Sequence, residues 1–347
     1  ETTWNKEYNL YTYNAAADSY VAASRLGPTQ LRRTHNSSWS TLWQAAISYD
    51  NTFSGHHVSG LMLYEEAHNV GDNLWAQRNF SIPLPYLFAG DSKEQVGMAN
   101  ANGLSESASK GLIGKFNYDY KGRYLAEFSF RYDGSSKFPS DNRWGFFPGV
   151  SVGWNIMEER FWKDSKISGV ISNLKPRLSY GVNGNVNGIG NFDVYGAYSQ
   201  VGAKTYGGST AFYNSGLVNT GLRWEQSQSF EAGLDIGFLN NRLSFILDYY
   251  NRTTKDLLTK QALPGYTGFT EIMTNMGTLR NYGFEMEVRA NILNNPKGLT
   301  WDVTANLSSV ANKIVKLPYN GNPNNRVGGY EVATGRKKAD GTDETKW

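Results

Sequence analysis

Hydrophobic and polar residues alternate with a period of two over long stretches of the chain. Leu112, Gly114, Phe116, Tyr118 and Tyr120 share one parity, as do Tyr124, Ala126, Phe128, Phe130 and Tyr132 beyond a two-residue Lys121-Gly122 turn. The opposite parity carries Lys115, Asn117, Asp119, Arg123, Glu127, Ser129 and Arg131. A period of two is that of a β-strand, so the segment predicts a hairpin with one apolar and one charged face. So many charges do not fit the inner layer of a soluble sandwich. They fit the wet interior of a barrel whose aromatic exterior meets lipid.

The same pattern recurs. Trp39, Trp43, Ala45, Ile47 and Tyr49 oppose Ser40, Gln44, Ser48 and Asp50, and Trp224, Phe230, Ala232, Leu234 and Ile236 oppose Glu225, Ser227, Glu231 and Asp235. Leu243, Phe245, Leu247 and Tyr249 follow, then Tyr282, Phe284, Met286 and Val288 against Glu285, Glu287 and Arg289, then Trp301, Val303, Ala305 and Leu307 against Asp302, Thr304 and Asn306. Strands are predicted near 5–20, 38–50, 52–64, 108–120, 123–133, 145–156, 174–182, 222–238, 241–253, 280–293 and 299–311. Short links fall at Asp50-Asn51, Lys121-Gly122, Asn240-Asn241 and Asn294 to Gly298, with 157–173 a longer link on the same side. Long polar stretches occupy 21–37, 65–107, 133–144, 183–221 and 254–279. Outer-membrane barrels have short periplasmic turns and long outer loops, so the long stretches predict the extracellular rim.

About eleven strands is an odd number, and single-chain bacterial barrels usually have an even one. An open sheet edge is not tolerated in lipid. The segment from Lys337 to Trp347 reads as a polar loop. The fold class expected is therefore all-β, an antiparallel transmembrane β-barrel present as an incomplete portion of a larger one. Residues 1–347 form one partial barrel domain, with the closing strands outside it.

Composition narrows the class. The sequence has 347 residues and no Pro/Ser-rich linker between hairpins, so one unit is expected. A mean hydropathy of −0.52 speaks against transmembrane helices, but strand alternation hides an apolar face from such averages. Lys+Arg 34 against Asp+Glu 31 is nearly balanced, so nothing points to nucleic acid. With Cys 0, thiolate metal sites and disulfides are excluded.

Chemistry is sparse. Trp144, Phe146, Phe147 and Pro148 read as a strand entry with an aromatic girdle. The glycines between Asn183 and Gly190 lack a following helix and read as a flexible loop, not a phosphate cradle. His56 and His57 point to opposite faces of a strand, so at most one meets a lumenal partner and no metal site is expected. Ser59 shares a face with His57, a spacing common by chance, and no enzyme activity is expected. Exposed rings on outer loops can pack against the apolar face of a sugar, and Trp75, Tyr195, Tyr206 and Tyr266 are the candidate substrate-binding residues.

Several blocks resemble a known family: RYDGSSKFPSDNRWGFFPGVSVGWNIMEERFW (Arg131 to Trp162), NLKPRLSYGVNGNVNGIGNF (Asn173 to Phe192), LRWEQSQSFEAGLDIGFLNNRLSFILDYYNRTTKDLL (Leu222 to Leu258) and PGYTGFTEIMTNMGTLRNYGFEMEV (Pro264 to Val288). They look like the barrel of SusC/RagA-like TonB-dependent outer-membrane transporters of Bacteroidota. The likeness is ordered over roughly residues 105–312, while residues 1–104 fit in character only. It implies a plugged barrel in the outer membrane importing oligosaccharide or peptide fragments, with a SusD-like lipoprotein lid, energy from a TonB-ExbB-ExbD complex and no cofactor. The TonB box and plug are not found in this sequence. A passive porin-type channel is the alternative, and an envelope enzyme or adhesin a third reading.

Overall fold

The computed structural model describes residues 2–5, 9–25, 29–81, 84–99, 104–196, 198–214, 216–295, 298–318, 332–337 and 343–346. Its strands are β1 (Thr2–Asn5), β2 (Asn9–Asn14), β3 (Ser19–Arg25), β4 (Gln30–Phe53), β5 (His56–Asn79), β6 (Val96–Ala99), β7 (Ser105–Tyr120), β8 (Tyr124–Ser135) and β9 (Trp144–Trp154). They continue with β10 (Ile171–Asn185), β11 (Tyr198–Tyr206), β12 (Ser209–Asn214), β13 (Glu225–Phe238), β14 (Leu243–Ala262), β15 (Glu271–Asn294), β16 (Thr300–Lys316), β17 (Val332–Lys337) and β18 (Asp343–Lys346). One helical turn, α1 (Arg160–Lys163), lies between β9 and β10. The chain divides into two compact units, residues 1–43 with 66–108, and residues 44–65 with 109–347.

In the second unit hydrogen bonding runs in the order β4-β5-β7-β8-β9-β10-β13-β14-β15-β16. Pairing from β7 onward is antiparallel throughout. Register joins like with like. Phe116, Phe128, Val150, Tyr180 and Phe230 form one cross-strand row, and Tyr118, Ala126, Val152, Leu178, Ala232, Tyr249 and Phe284 the next. These rings are solvent-open, Phe128 and Phe230 at 43% and 42%, although nothing charged interrupts them. Between the rows runs a polar one, Asn117, Glu127, Ser151, Ser179 and Glu231. An apolar face exposed over this many strands is that of a wall in contact with lipid, with the polar face inward.

The polar face is tied together by its own charges. Arg177 on β10 donates to Asp235 on β13 at 2.9 Å and to Asp248 on β14 at 3.1 Å. Gly233 makes room for this: a Cβ there would lie 2.4 Å from Asp248 Oδ1 and 2.7 Å from Arg177 Cζ. Lys115 pairs with Glu127 at 3.1 Å, Arg131 with Asp133 at 2.9 Å, and Arg289 with Glu287.

Two turns explain two hairpins. Lys121 and Gly122 both have positive φ, 55° and 70°, as a type I′ turn requires, and Asp119 accepts from the Gly122 amide at 2.6 Å. The link expected at Asp50-Asn51 lies instead at Ser54-Gly55, with φ of 51° and 81°. Gly55 tolerates the left-handed conformation, and both flanking strands run longer than their alternation suggested.

In the first unit β1 pairs with β4 and β6 with β5, while β2 and β3 form a separate hairpin. The single strand expected over 5–20 is thus corrected. Asp18, with φ 45° next to the Asn14 to Ala17 turn bond, reverses the chain there. Leu31 is fully buried, and Arg78 donates to Gln95 and to the carbonyls of Phe88 and Gly90, fastening the segment after β5.

Counting β1, eleven strands lie on one hydrogen-bonded path. Among the described residues β16 pairs with β15 alone, and its side chains are exposed along its whole length. The segment after Lys337 is not simply a loop, since β18 pairs with β17.

Candidate functional site

The long segments at one end of the second unit have a hydrophobic core of their own. Phe138 (0% exposed), Leu222 (1%), Ile189 (3%) and Val194 pack together, with Val186, Trp224, Leu258 and Met273 against them. Phe138 comes from stretch 133–144, Val186, Ile189 and Val194 from 183–221 with Leu222 at its end, and Leu258 and Met273 from 254–279, so burial here draws three loops into one body. Ile189 lies within the glycine-rich run read from sequence as flexible. That expectation is overturned, because Asn183 to Asn185 continue β10 and Ile189 anchors the rest.

Phe147 also departs from its expected place in an aromatic girdle. It is buried at 5%, edge-on to Trp224 with ring centroids 5.2 Å apart. Paired register between β9 and β10 ends at Gly149 and Gly181, and Phe147 reaches Gly184, where a Cβ would lie 2.2 Å from its ring. Trp144 and Phe146 remain exposed, as a girdle requires.

Polar bonds fix the same loops. Trp224 Nε1 donates to the Arg143 carbonyl at 2.9 Å, and Asn219 Nδ2 to the Met273 carbonyl at 2.9 Å. Asn275 accepts from the Arg223 amide and donates to the carbonyls of Arg223 and Asp256, while Arg223 pairs with Asp256 at 2.6 Å. Glu225 accepts from Asn185 and from the Leu258 amide. Polar groups of several loops, half-buried or exposed, thus bond to one another across the cluster.

Beside this core opens a cavity of about 480 Å³. Phe192, Asp193, Leu217, Asn219, Lys260, Phe269 and Glu271 are among its lining residues. Lys260 and Glu271 pair across its rim at 2.5 Å, both well exposed. The cavity thus offers two aromatic faces, one cation and two carboxylates, a mixture suited to polar ligands with some apolar surface.

Of the sequence candidates, Tyr195 and Tyr266 flank this cavity in sequence, beside Phe192-Asp193-Gly196 and Gly268-Phe269. They are 66% and 92% exposed. Tyr206 ends β11, which pairs with β12. Trp75 belongs to the first unit, where the Arg32 guanidinium covers its ring at 3.7 Å. Sequence reasoning missed Phe192, Asp193, Lys260 and Glu271. The signal that could have found them was the set of isolated apolar residues, Ile189, Val194 and Leu222, inside polar loops. His57 pairs with Asp50 at 3.3 Å and Ser59 accepts from Asn117, so neither is committed to the other.

Residues 1–341 match the TonB dependent receptor-like, beta-barrel family. The chain belongs to that family. It is 32% identical over 286 residues to TonB-dependent receptor P3 of Formosa agariphila, covering 80% of this chain and 27% of that protein. It is 38% identical over 233 residues to TonB-dependent receptor SusC of Bacteroides thetaiotaomicron, covering 65% of this chain and 22% of that protein. The chain therefore spans about a quarter of the length of the curated relatives it matches. It also superimposes on the structure of the RagAB peptide transporter, with TM-score 0.74 and 27% identity, over 84% of this chain and 32% of that one. The sheet with one apolar and one polar face is therefore the wall of a TonB-dependent receptor barrel, a transmembrane β-barrel.

Proposed function

We infer that the chain forms part of an outer-membrane importer that takes up oligosaccharide or peptide fragments, driven by a TonB-ExbB-ExbD complex and covered by a SusD-like lipoprotein. The observation that carries this reading is the packed long-loop end with its aromatic-lined cavity, set on a barrel wall like those of SusC and the RagAB transporter. The long loops face outside, where cargo arrives, and the short turns face the periplasm. Residues 1–347 then constitute one section of a larger barrel, a reading supported by β16 pairing with β15 alone among the described residues and by the share of each relative that is covered. Tyr195, Tyr206 and Tyr266, with Trp75, supply rings for cargo. The protein acts by binding and transport, with no chemical step.

The test is uptake of labelled oligosaccharide and peptide pools by cells carrying the full-length protein. Deleting TonB should abolish uptake. Uptake that persists without TonB would favour the passive channel instead. Replacing Trp75, Tyr195, Tyr206 and Tyr266 together by Ala should lower uptake while leaving heat-modifiable barrel folding intact, and unchanged uptake would remove the ring proposal.

A further inference from the structure

At the short-turn end of the second unit, the apolar face is not smooth. Tyr118, Tyr124, Ala126, Val152, Trp154, Pro176 and Leu178 line a groove of about 460 Å³. Ala126 makes the recess, standing between Tyr118 and Val152, with Leu178 beyond, all three larger side chains.

The link between β9 and β10 adjoins this groove. Its Asn155 amide donates to the Arg123 carbonyl at 2.7 Å, and Phe161 meets Trp154 edge-on at 6.5 Å between centroids. Glu159 accepts from Tyr124 at 2.6 Å and from Trp154 at 3.1 Å, so two groove-lining rings are fixed by the link itself.

The outer side of the link is amphipathic. Phe161, Ile167 and Val170 are 59%, 54% and 52% exposed, and Leu239, whose amide donates to Val170, is 55% exposed. Four large apolar side chains at one rim make a poor surface for water. They suit the headgroup boundary of a bilayer, where such residues insert and neighbouring cations stay at the phosphates. Arg160 and Lys166 are the available cations. Lys163 is engaged by Glu158 at 2.6 Å, whereas these two form no ion pair with a described residue.

We propose that this rim is a phospholipid site: one acyl chain lies in the Ala126 groove, and the headgroup phosphate is held by Arg160 and Lys166 of the β9–β10 link. The leaflet would be the inner one, given the orientation inferred above. The site itself depends only on the wall facing lipid.

Full-length protein purified with 1-palmitoyl-2-oleoyl phosphatidylglycerol and then exchanged into detergent should retain phospholipid, read by native mass spectrometry. Ala126→Phe keeps an apolar surface but fills the groove, and should cut retention at least tenfold. R160Q/K166Q lies outside the strands, so it reports even if the first variant folds poorly. It should erase preference for phosphatidylglycerol over phosphatidylcholine. Equal retention by folded Ala126→Phe and wild type would overturn the groove, and an unchanged lipid preference in R160Q/K166Q would overturn the headgroup contact.

Discussion

Leu222→Ala tests whether the outer loops are held by their own core. Leu222 is 1% exposed and contacts Phe138, Ile189 and Val194, so the change removes three buried carbon atoms from the centre of the cluster. Leu→Ala in a well-packed core costs about 2.7 to 5 kcal/mol, but a neighbouring 480 Å³ cavity lets the surroundings relax, which favours about 2 to 3 kcal/mol. At roughly 1.36 kcal/mol per decade, local opening becomes about 30- to 160-fold more frequent. Hydrogen exchange on the full-length protein should show that acceleration in peptides covering 186–196, 217–224 and 258–274. Peptides within residues 226–238 and 243–255 should be unchanged, because their amides are closed by the pairing of β13 with β14. Acceleration below about threefold in the loops, or equal acceleration throughout the sheet, would refute an independent loop core.

Phe230→Arg should destabilise the barrel by about 2 to 4 kcal/mol if that residue lies near mid-bilayer, whereas Glu231→Arg on the polar face should cost far less. Urea titration in liposomes compares them, and equal costs would undo the assignment of faces. Gly184→Ala places a methyl 2.2 Å from the Phe147 ring and should loosen the outer cluster by hydrogen exchange; adding Phe147→Leu should recover most of the loss, and additive effects would deny the contact. The Tyr124 hydroxyl, then the Trp154 indole, hold the Glu159 carboxyl below the usual carboxylate range, aided by Arg123 and opposed by burial. A depressed folded value means stabilisation is complete above the ordinary value of roughly 4.3 and is lost as pH falls through the lower one. Divided by the intrinsic amide rate at each pH, exchange in residues 155–170 should thus rise in acid for wild type, while in Glu159→Gln the corrected rate should be faster at pH 7 and nearly flat with pH.

Alternation made the wall legible, since Phe128, Phe230 and Phe284 occupy the apolar face and Glu127, Glu231 and Glu285 the other. Strand ends were less so. β5 continues to Asn79 and β15 begins at Glu271, because above the membrane both faces of a strand meet water and the hydrophobic pattern fades while backbone pairing persists. The candidate site was the least legible part. Its core depends on Phe138, Ile189 and Leu258 meeting across three loops, and no periodicity within any one loop encodes that meeting.

The pairing of Arg177 with Asp235 and Asp248, repeated in kind by Lys115 with Glu127 and Arg131 with Asp133, bears on what a moving cargo would feel. Fixed charges that answer one another at about 3 Å cast weak fields a few water diameters away, the more so at physiological ionic strength, where the screening length is about 8 Å. In the import passage proposed above, a wall lined this way would sort solutes only weakly by sign, which would leave discrimination to the entrance.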